Sequence, residues 1–244
     1  LQSAGLTIYP DPKILSVVQD KGTQKEFYRT HEIPTSPFHL IRSKEELKAL
    51  KVALPFVQKT RKAGYDGKGV LKINTKADLD KAFDEPCVVE EFIDFEKEIA
   101  VVVARNLKGD VEVYPTVEMV FHPVKNLVEF LASPANITPE VHIEARRIAV
   151  DLAHQLEMVG ILAVEMFVTK SGKVLVNEIA PRVHNSAHHT IEANVTSQFE
   201  QHWRAVLGMP LGSTDRKSPA VMVNILGEDG CQGKARYEGI EDAK

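Results

Sequence analysis

The sequence predicts an α+β fold, with helices laid on largely antiparallel sheets, and three observations carry that expectation. Apolar runs at "CVVEEFI", "EKEIAVVVAR", "DVEVYPTVEMVF" and "LVEFLA" succeed one another closely. Their connections are too short for crossover helices, so the strands are expected to pair antiparallel. Two later runs, "GILAVEMFVT" and "KVLVNEIA", flank Ser171-Gly172 as the arms of a hairpin would. Stretches of helical period precede, separate and succeed these strands, which is the α+β order.

In chain order, "DPKILSVVQD" reads as a short helix with proline near its first turn. A second helical segment runs from Thr23 to His31, ended by the extended "IPTSPFHLI". Ser43 and Glu46 have capping-box spacing and open the helix "KEELKAL". "VALPFVQK" is expected to be a strand, and "VLKIN" its hairpin partner across the glycine-punctuated "TRKAGYDGKGV". Thr75 and Asp78 cap another short helix before the central strands. Thr138-Pro139-Glu140 starts the longest helix, in which Val141, Ala145, Ile148, Leu152 and Leu156 form one apolar stripe. "SQFEQHWRAVLG" is a later helix with glycine at its end.

Composition bounds the function. The chain has 244 residues, 43% hydrophobic and 26% charged, enough for one large domain or two modest ones. Thirty basic against thirty-four acidic residues give a net charge of -4, and no basic block interleaves with aromatics, so no nucleic-acid partner is expected. Cys87 and Cys231 lie far apart without metal-ligand spacing, which suits a reducing compartment. No apolar run approaches the roughly 18 residues of a membrane span. The start "LQSAGLTIYP" has neither a secretory signature nor a methionine, so the chain is expected to begin within a longer, cytoplasmic protein.

Chemistry concentrates in four places. If Ser171-Gly172 is a two-residue turn, Glu165 falls directly opposite Glu178 on one face of the hairpin. Facing like charges destabilise a strand pair, and Mg²⁺, which takes one or two carboxylates plus phosphate oxygens, would compensate. A three-residue loop would instead turn the two glutamates to opposite faces. The second place is "GYDGKG", Gly64 to Gly69, whose amides could close over a phosphate with Lys68 and Lys59 in reach; plain hairpin turns look the same. In "EEFIDFEKE", backbone groups could bind adenine and Glu98 a ribose, or the segment is a solvated acidic turn. Finally, Pro181 ends a strand, and Asn185 or Ser186 is expected to cap a helix just beyond it. His184 and His188 have helical metal-pair spacing without the usual HExxH carboxylate, whereas Arg182 and His184 suit anions.

Together "QDKGTQKEF", "KTRKAGYDGKG", "VVEEFIDFEKEIAVVVAR", "VEMFVTKSGKVLVNEIAPRVHNSAHHTIEA" and "TSQFEQHWRAVLGMPLG" resemble, in this order, the ATP-grasp core of the N5-carboxyaminoimidazole ribonucleotide synthetases. The resemblance implies an ATP-grasp fold, two α+β subdomains with mainly antiparallel sheets clamping a nucleotide. Residues 1–20 would be the tail of a missing nucleotide-fold domain, 21–95 the lid subdomain, 96–228 the larger subdomain with the metal and substrate site, and 229–244 the start of a largely missing C-terminal domain. Lys21 and Lys59 would contact nucleotide, and Gly64, Tyr65, Asp66, Gly67, Lys68, Gly69 and Val70 would form the phosphate-covering loop. Glu90, Glu91, Phe92 and Ile93 match the adenine connector and Glu98 the ribose acid. Glu165 and Glu178 match the Mg²⁺ ligands (Mn²⁺ is the substitute), with Asn177 beside them. Arg182, His184 and Asn185 match the bicarbonate and carboxyphosphate site, with Ser186 and His188 adjoining.

The implied reaction is ATP- and bicarbonate-dependent carboxylation of 5-aminoimidazole ribonucleotide through carboxyphosphate, giving ADP and phosphate, in a homodimer. A sister enzyme such as formate-dependent glycinamide ribonucleotide transformylase, or a non-catalytic Mg-ATP module, is the alternative. The family usually has glycine where Ala63 and Ala187 stand, and Ala187 could restrict the loop beside the substrate. A family histidine is expected near Phe121, where His122 is one residue displaced.

Overall fold

The computed structural model describes residues 4–62, 69–121, 128–225, 233–234 and 236–239. Ala63, Gly64, Tyr65, Asp66, Gly67, Lys68 and His122 therefore lie outside the described residues, as do Cys231 and most of 229–244.

Two antiparallel sheets organise the chain. The smaller has four strands, β1 (Phe38–Ile41), β2 (Phe56–Thr60), β3 (Val70–Ile73) and β4 (Cys87–Glu91), in the order β1-β4-β2-β3. The strand expected over "VALPFVQK" begins only at Phe56, after Pro55. The larger sheet has seven: β5 (Phe95–Arg105), β6 (Val111–Val113), β7 (Val117–Phe121), β8 (Val128–Ser133), β9 (Gly160–Thr169), β10 (Val174–Ala180) and β11 (Ala220–Val223). Its order is β10-β9-β5-β7-β8-β11, with β6 on β5. "DVEVYPTVEMVF", expected as one strand, is split into β6 and β7 around Tyr114 and Pro115.

Helices cover both sheets as the period predicts. α1 (Pro12–Val18) is capped by Asp11, and α2 (Lys21–Thr30) begins two residues earlier than expected because Asp20 accepts from the Gly22 and Thr23 amides. α3 (Lys44–Ala49) is capped by Ser43, but Glu46 returns its bond to Arg42 rather than Ser43. The segment after Thr75 is a 3₁₀ helix, Lys76–Lys81, closed by the capping box with Asp78. α4 (Pro139–Gln155) buries Val141, Ala145, Ile148 and Leu152 against Ile99, Val101 and Val103 of β5 and Leu162, Val164 and Met166 of β9. Ile14, Tyr28 and Ile33 bring α1 and α2 into the same core.

The opposite face of the larger sheet changes character along its strands. Val102, Ala104, Ile161 and Ala163 are buried in a second core beside Val183 and Ala187. One or two pairings further along, the ladder alternation that buries those residues places Glu98, Glu165 and Glu178 on the same face. A strand that reads as continuously apolar thus carries its acids where the helical cover stops.

Candidate active site

The β9–β10 hairpin brings Glu165 and Glu178 face to face by a different route from the two-residue turn expected of the sequence. Thr169 N–H donates to Lys173 O at 2.9 Å and Gly172 N–H to Thr169 O at 2.8 Å, so the loop holds three residues, with Gly172 at φ +78°. That loop alone would set Asn177 against Glu165. β10 instead bulges at Asn177, so Val176 pairs with Met166 while Glu178 pairs with Glu165. Two departures from the expected hairpin cancel.

Three acids then share one face. The Glu165 carboxyl is raised well above the usual range by burial, then by Glu178 and Glu98, with Arg182 and Lys59 pulling the other way. Burial also pushes Glu98 up to about 7, Lys59 opposing and Glu178 adding to the rise. Basic groups do not neutralise the cluster: His184 Nε2 lies 3.6 Å from Glu165, and Lys21 Nζ lies 3.9 Å from Glu178. This residual negative charge fits a divalent cation. No group of three or more His, Cys, Asp or Glu able to hold a metal occurs among the described residues. Glu165 and Glu178 would offer such an ion a carboxylate pair and leave its further positions to ligand oxygens, which is the habit of Mg²⁺.

Beside the acids lies a second cluster of opposite construction. Glu90, on β4, is buried with Lys25 Nζ 3.1 Å from Oε2 and Lys59 Nζ 3.1 Å from Oε1. Burial alone would raise the Glu90 carboxyl, but Lys59 and Lys25 outweigh it and hold it below the usual range. Burial lowers Lys25 to about 8 against the pull of Glu90. Lys59 also donates to Asn177 Oδ1 at 3.0 Å, and Lys25 donates to Thr35 Oγ1 at 2.6 Å, whose hydroxyl donates to Val176 O at 2.7 Å. These bonds join the smaller sheet and α2 to the bulged strand. Sequence reasoning misses Lys25, although its four-residue spacing from Lys21 puts both on one helix face.

The loop after β10 supplies the third component. His184 caps a 3₁₀ turn, Asn185–Ala187, in place of the expected Asn185 or Ser186 cap, because its Nδ1 accepts from the Ser186 amide at 3.3 Å. Burial, then Arg182 and His188, lower His184 to about 4, so the ring is neutral. With Nδ1 accepting, its proton sits on Nε2, facing Glu165. Arg182 is exposed and donates to Val183 O at 2.9 Å. Asn185 donates to Asn224 Oδ1 at 2.9 Å, and Ser186 is buried under the loop. Ala187 lies in the helical turn with its methyl in the core, so the alanine strains nothing here.

A model of the ATP-grasp domain matches residues 26–199. The chain belongs to the ATP-grasp family. The N5-carboxyaminoimidazole ribonucleotide synthase of Bacillus subtilis is 40% identical over 223 residues, covering 89% of this chain and 58% of that protein. The crystal structure of the synthetase from Thermotoga maritima superposes with TM-score 0.88 at 45% identity, over 99% of this chain and 63% of that one. The synthase from Aspergillus clavatus, in complex with ADP and 5-aminoimidazole ribonucleotide, superposes with TM-score 0.85 at 28% identity, over 93% of this chain and 62% of that one. The chain thus spans about three fifths of the length of these three relatives.

In this ATP-grasp chain the segment 92–94 connects the two sheets. Phe92 and Ile93 are half-buried, Glu91 is exposed, and Lys72 Nζ sits 3.5 Å over the Phe92 ring. Gly69, at φ +73°, accepts from the Thr60 amide at 2.8 Å, and Val70 stands opposite Lys59. His188 stacks on Phe199, with centroids 5.6 Å apart, and meets Gln198 on α6 (Gln198–Val206), the helix after the short α5 (Thr190–Ala193). Sequence reasoning also misses Gln198, which nothing local marks as part of a loop 14 residues away.

Proposed function

We propose that the protein carboxylates 5-aminoimidazole ribonucleotide to N5-carboxyaminoimidazole ribonucleotide, using ATP and bicarbonate and releasing ADP and phosphate. The observation that carries this reading is the adjacency of an under-neutralised acid pair to a loop of neutral histidine and arginine. Phosphoryl transfer needs the first, and an oxyanion needs the second. The Aspergillus clavatus relative, bound to ADP and 5-aminoimidazole ribonucleotide, supports the choice of substrate.

In this reading Glu165 and Glu178 hold Mg²⁺ (or Mn²⁺), with Asn177 alongside. The ion, when bound, neutralises charge on the ATP phosphates during transfer to bicarbonate. Lys59 faces the same phosphates, kept in place by Glu90 and Asn177, and Lys21 adds charge from the start of α2. The carboxylate of Glu90 is taken up by two lysines, so the adenine is met by main chain from Glu90 to Ile93. Glu98 faces the ribose, and the glycine segment ending at Gly69 and Val70 covers the phosphates. Arg182 and the Nε2–H of His184 hold bicarbonate and the carboxyphosphate made from it, beside Asn185, Ser186 and His188. The exocyclic amine of the ribonucleotide then attacks the carboxyl carbon, and phosphate leaves.

In this division the four-stranded sheet is the lid, and the seven-stranded sheet carries the metal and substrate residues. A homodimer in the cytoplasm completes the proposal. The test is ADP release from the full-length protein with 5-aminoimidazole ribonucleotide. The expected result is release that depends on bicarbonate and is not supported by formate. Formate-dependent release, or release indifferent to both, would overturn the proposal.

A further inference from the structure

Gln198 is fully buried, and both ends of its side-chain amide are engaged. Oε1 accepts from the His184 main-chain N–H at 2.8 Å, and Nε2 donates to His184 O at 2.7 Å. The second Nε2 hydrogen faces His188 Nδ1 at 2.9 Å. The amide cannot be turned over, because the His184 N–H can only donate and so requires the oxygen. Nε2 can only donate in its turn, so His188 Nδ1 must be a bare acceptor with the ring proton on Nε2. The main-chain N–H of Gln198 donates to Thr190 Oγ1 at 2.9 Å, and that hydroxyl donates to Ala187 O at 2.6 Å, which ties the helix start to the same loop.

We infer that Gln198 is a positioning residue: it clamps the main chain at His184 and fixes His188 as the Nε2–H tautomer. The Ser186 amide does the same for the His184 ring, so both imidazoles of the 182–188 loop present an N–H donor. Beside Arg182 these two N–H groups are donors that suit an oxyanion. The role in turnover rests on the carboxylation reading above, whereas the tautomer does not.

Nitrogen-15 histidine spectra of the full-length protein, with kinetics of Gln198→Glu and Gln198→Met, test the inference. The wild type should show His188 protonated at Nε2 and bare at Nδ1. Gln198→Glu, whose ionised carboxylate offers only acceptors to Nδ1, should place a proton on Nδ1 at a pH where that carboxylate is ionised. Gln198→Met, close in size and without partners, should leave mixed tautomers. Both variants should raise the KM for bicarbonate about tenfold, the scale of a lost hydrogen bond or two, with the KM for ATP changed less than about twofold. A wild-type His188 protonated at Nδ1, or a tautomer unmoved in Gln198→Glu, would overturn the inference. So would equal rises in both KM values accompanied by lost thermal stability. If the wild type does not carboxylate but the tautomers move as stated, the functional reading fails and the positioning by Gln198 stands.

Discussion

Lys25, Glu90 and Lys59 form a buried cluster in which one carboxylate meets two ammonium groups at 3.1 Å each. Across the Asn177 bulge, Glu165, Glu178 and Glu98 share a sheet face with no cation nearer than the 3.9 Å of Lys21 among the described residues. The first cluster is complete as it stands, since each buried charge has a partner. The second is incomplete, and its carboxyls respond by holding protons at higher pH than usual. The difference is whether each buried charge has an opposite charge beside it. Ion pairs around one shared carboxylate tie α2 to the smaller sheet, whereas three facing acids carry a repulsion that bound protons or a cation would relieve.

The largest expected effect breaks the paired cluster. Glu90→Gln keeps the volume but leaves two buried ammonium groups without a countercharge, and should cost about 3–5 kcal/mol of stability by urea denaturation. A loss under about 1 kcal/mol would erase the distinction between the clusters. Glu165→Gln should act oppositely in metal-free protein, stabilising it by about 1 kcal/mol through relief of facing like charges. Asn177→Ala removes the bond to Lys59 and should cost about 0.5–1 kcal/mol, with a several-fold rise in the KM for ATP. The subtlest effect is on pH dependence. Between pH 4.5, the ordinary value, and about 7, the unfolded chain releases the Glu98 proton while the folded protein keeps it. Metal-free stability should therefore fall as pH rises through that window, and Glu98→Gln should flatten the slope. An identical slope in the variant would contradict the assignment.

What the sequence discloses divides along the same line. Elements with a strong period, such as the α4 stripe and the β5 and β9 runs, are legible because burial on one or two faces dictates residue type locally. The Glu165–Glu178 pairing is legible only because two errors coincide. Three residues stand where a two-residue turn is expected, and the bulge at Asn177 restores the register; nothing in "VLVNEIA" marks that bulge. Lys25 carries a usable signal in its helical spacing from Lys21, but its partner Glu90 lies 65 positions away. Gln198 carries none, because its role arises from the docking of α6 on the loop after β10. Tertiary contacts, not local pattern, complete both clusters.

Glu165 and Glu178 acting together as a divalent-cation site for nucleotide is the central claim. Isothermal titration of ADP into the full-length protein, with and without Mg²⁺, addresses it directly. For the wild type, Mg²⁺ should tighten binding. For Glu165→Gln and Glu178→Gln that enhancement should vanish, while metal-free ADP affinity is kept or improved. Mg²⁺ enhancement undiminished in both variants would contradict the assignment of this acid pair.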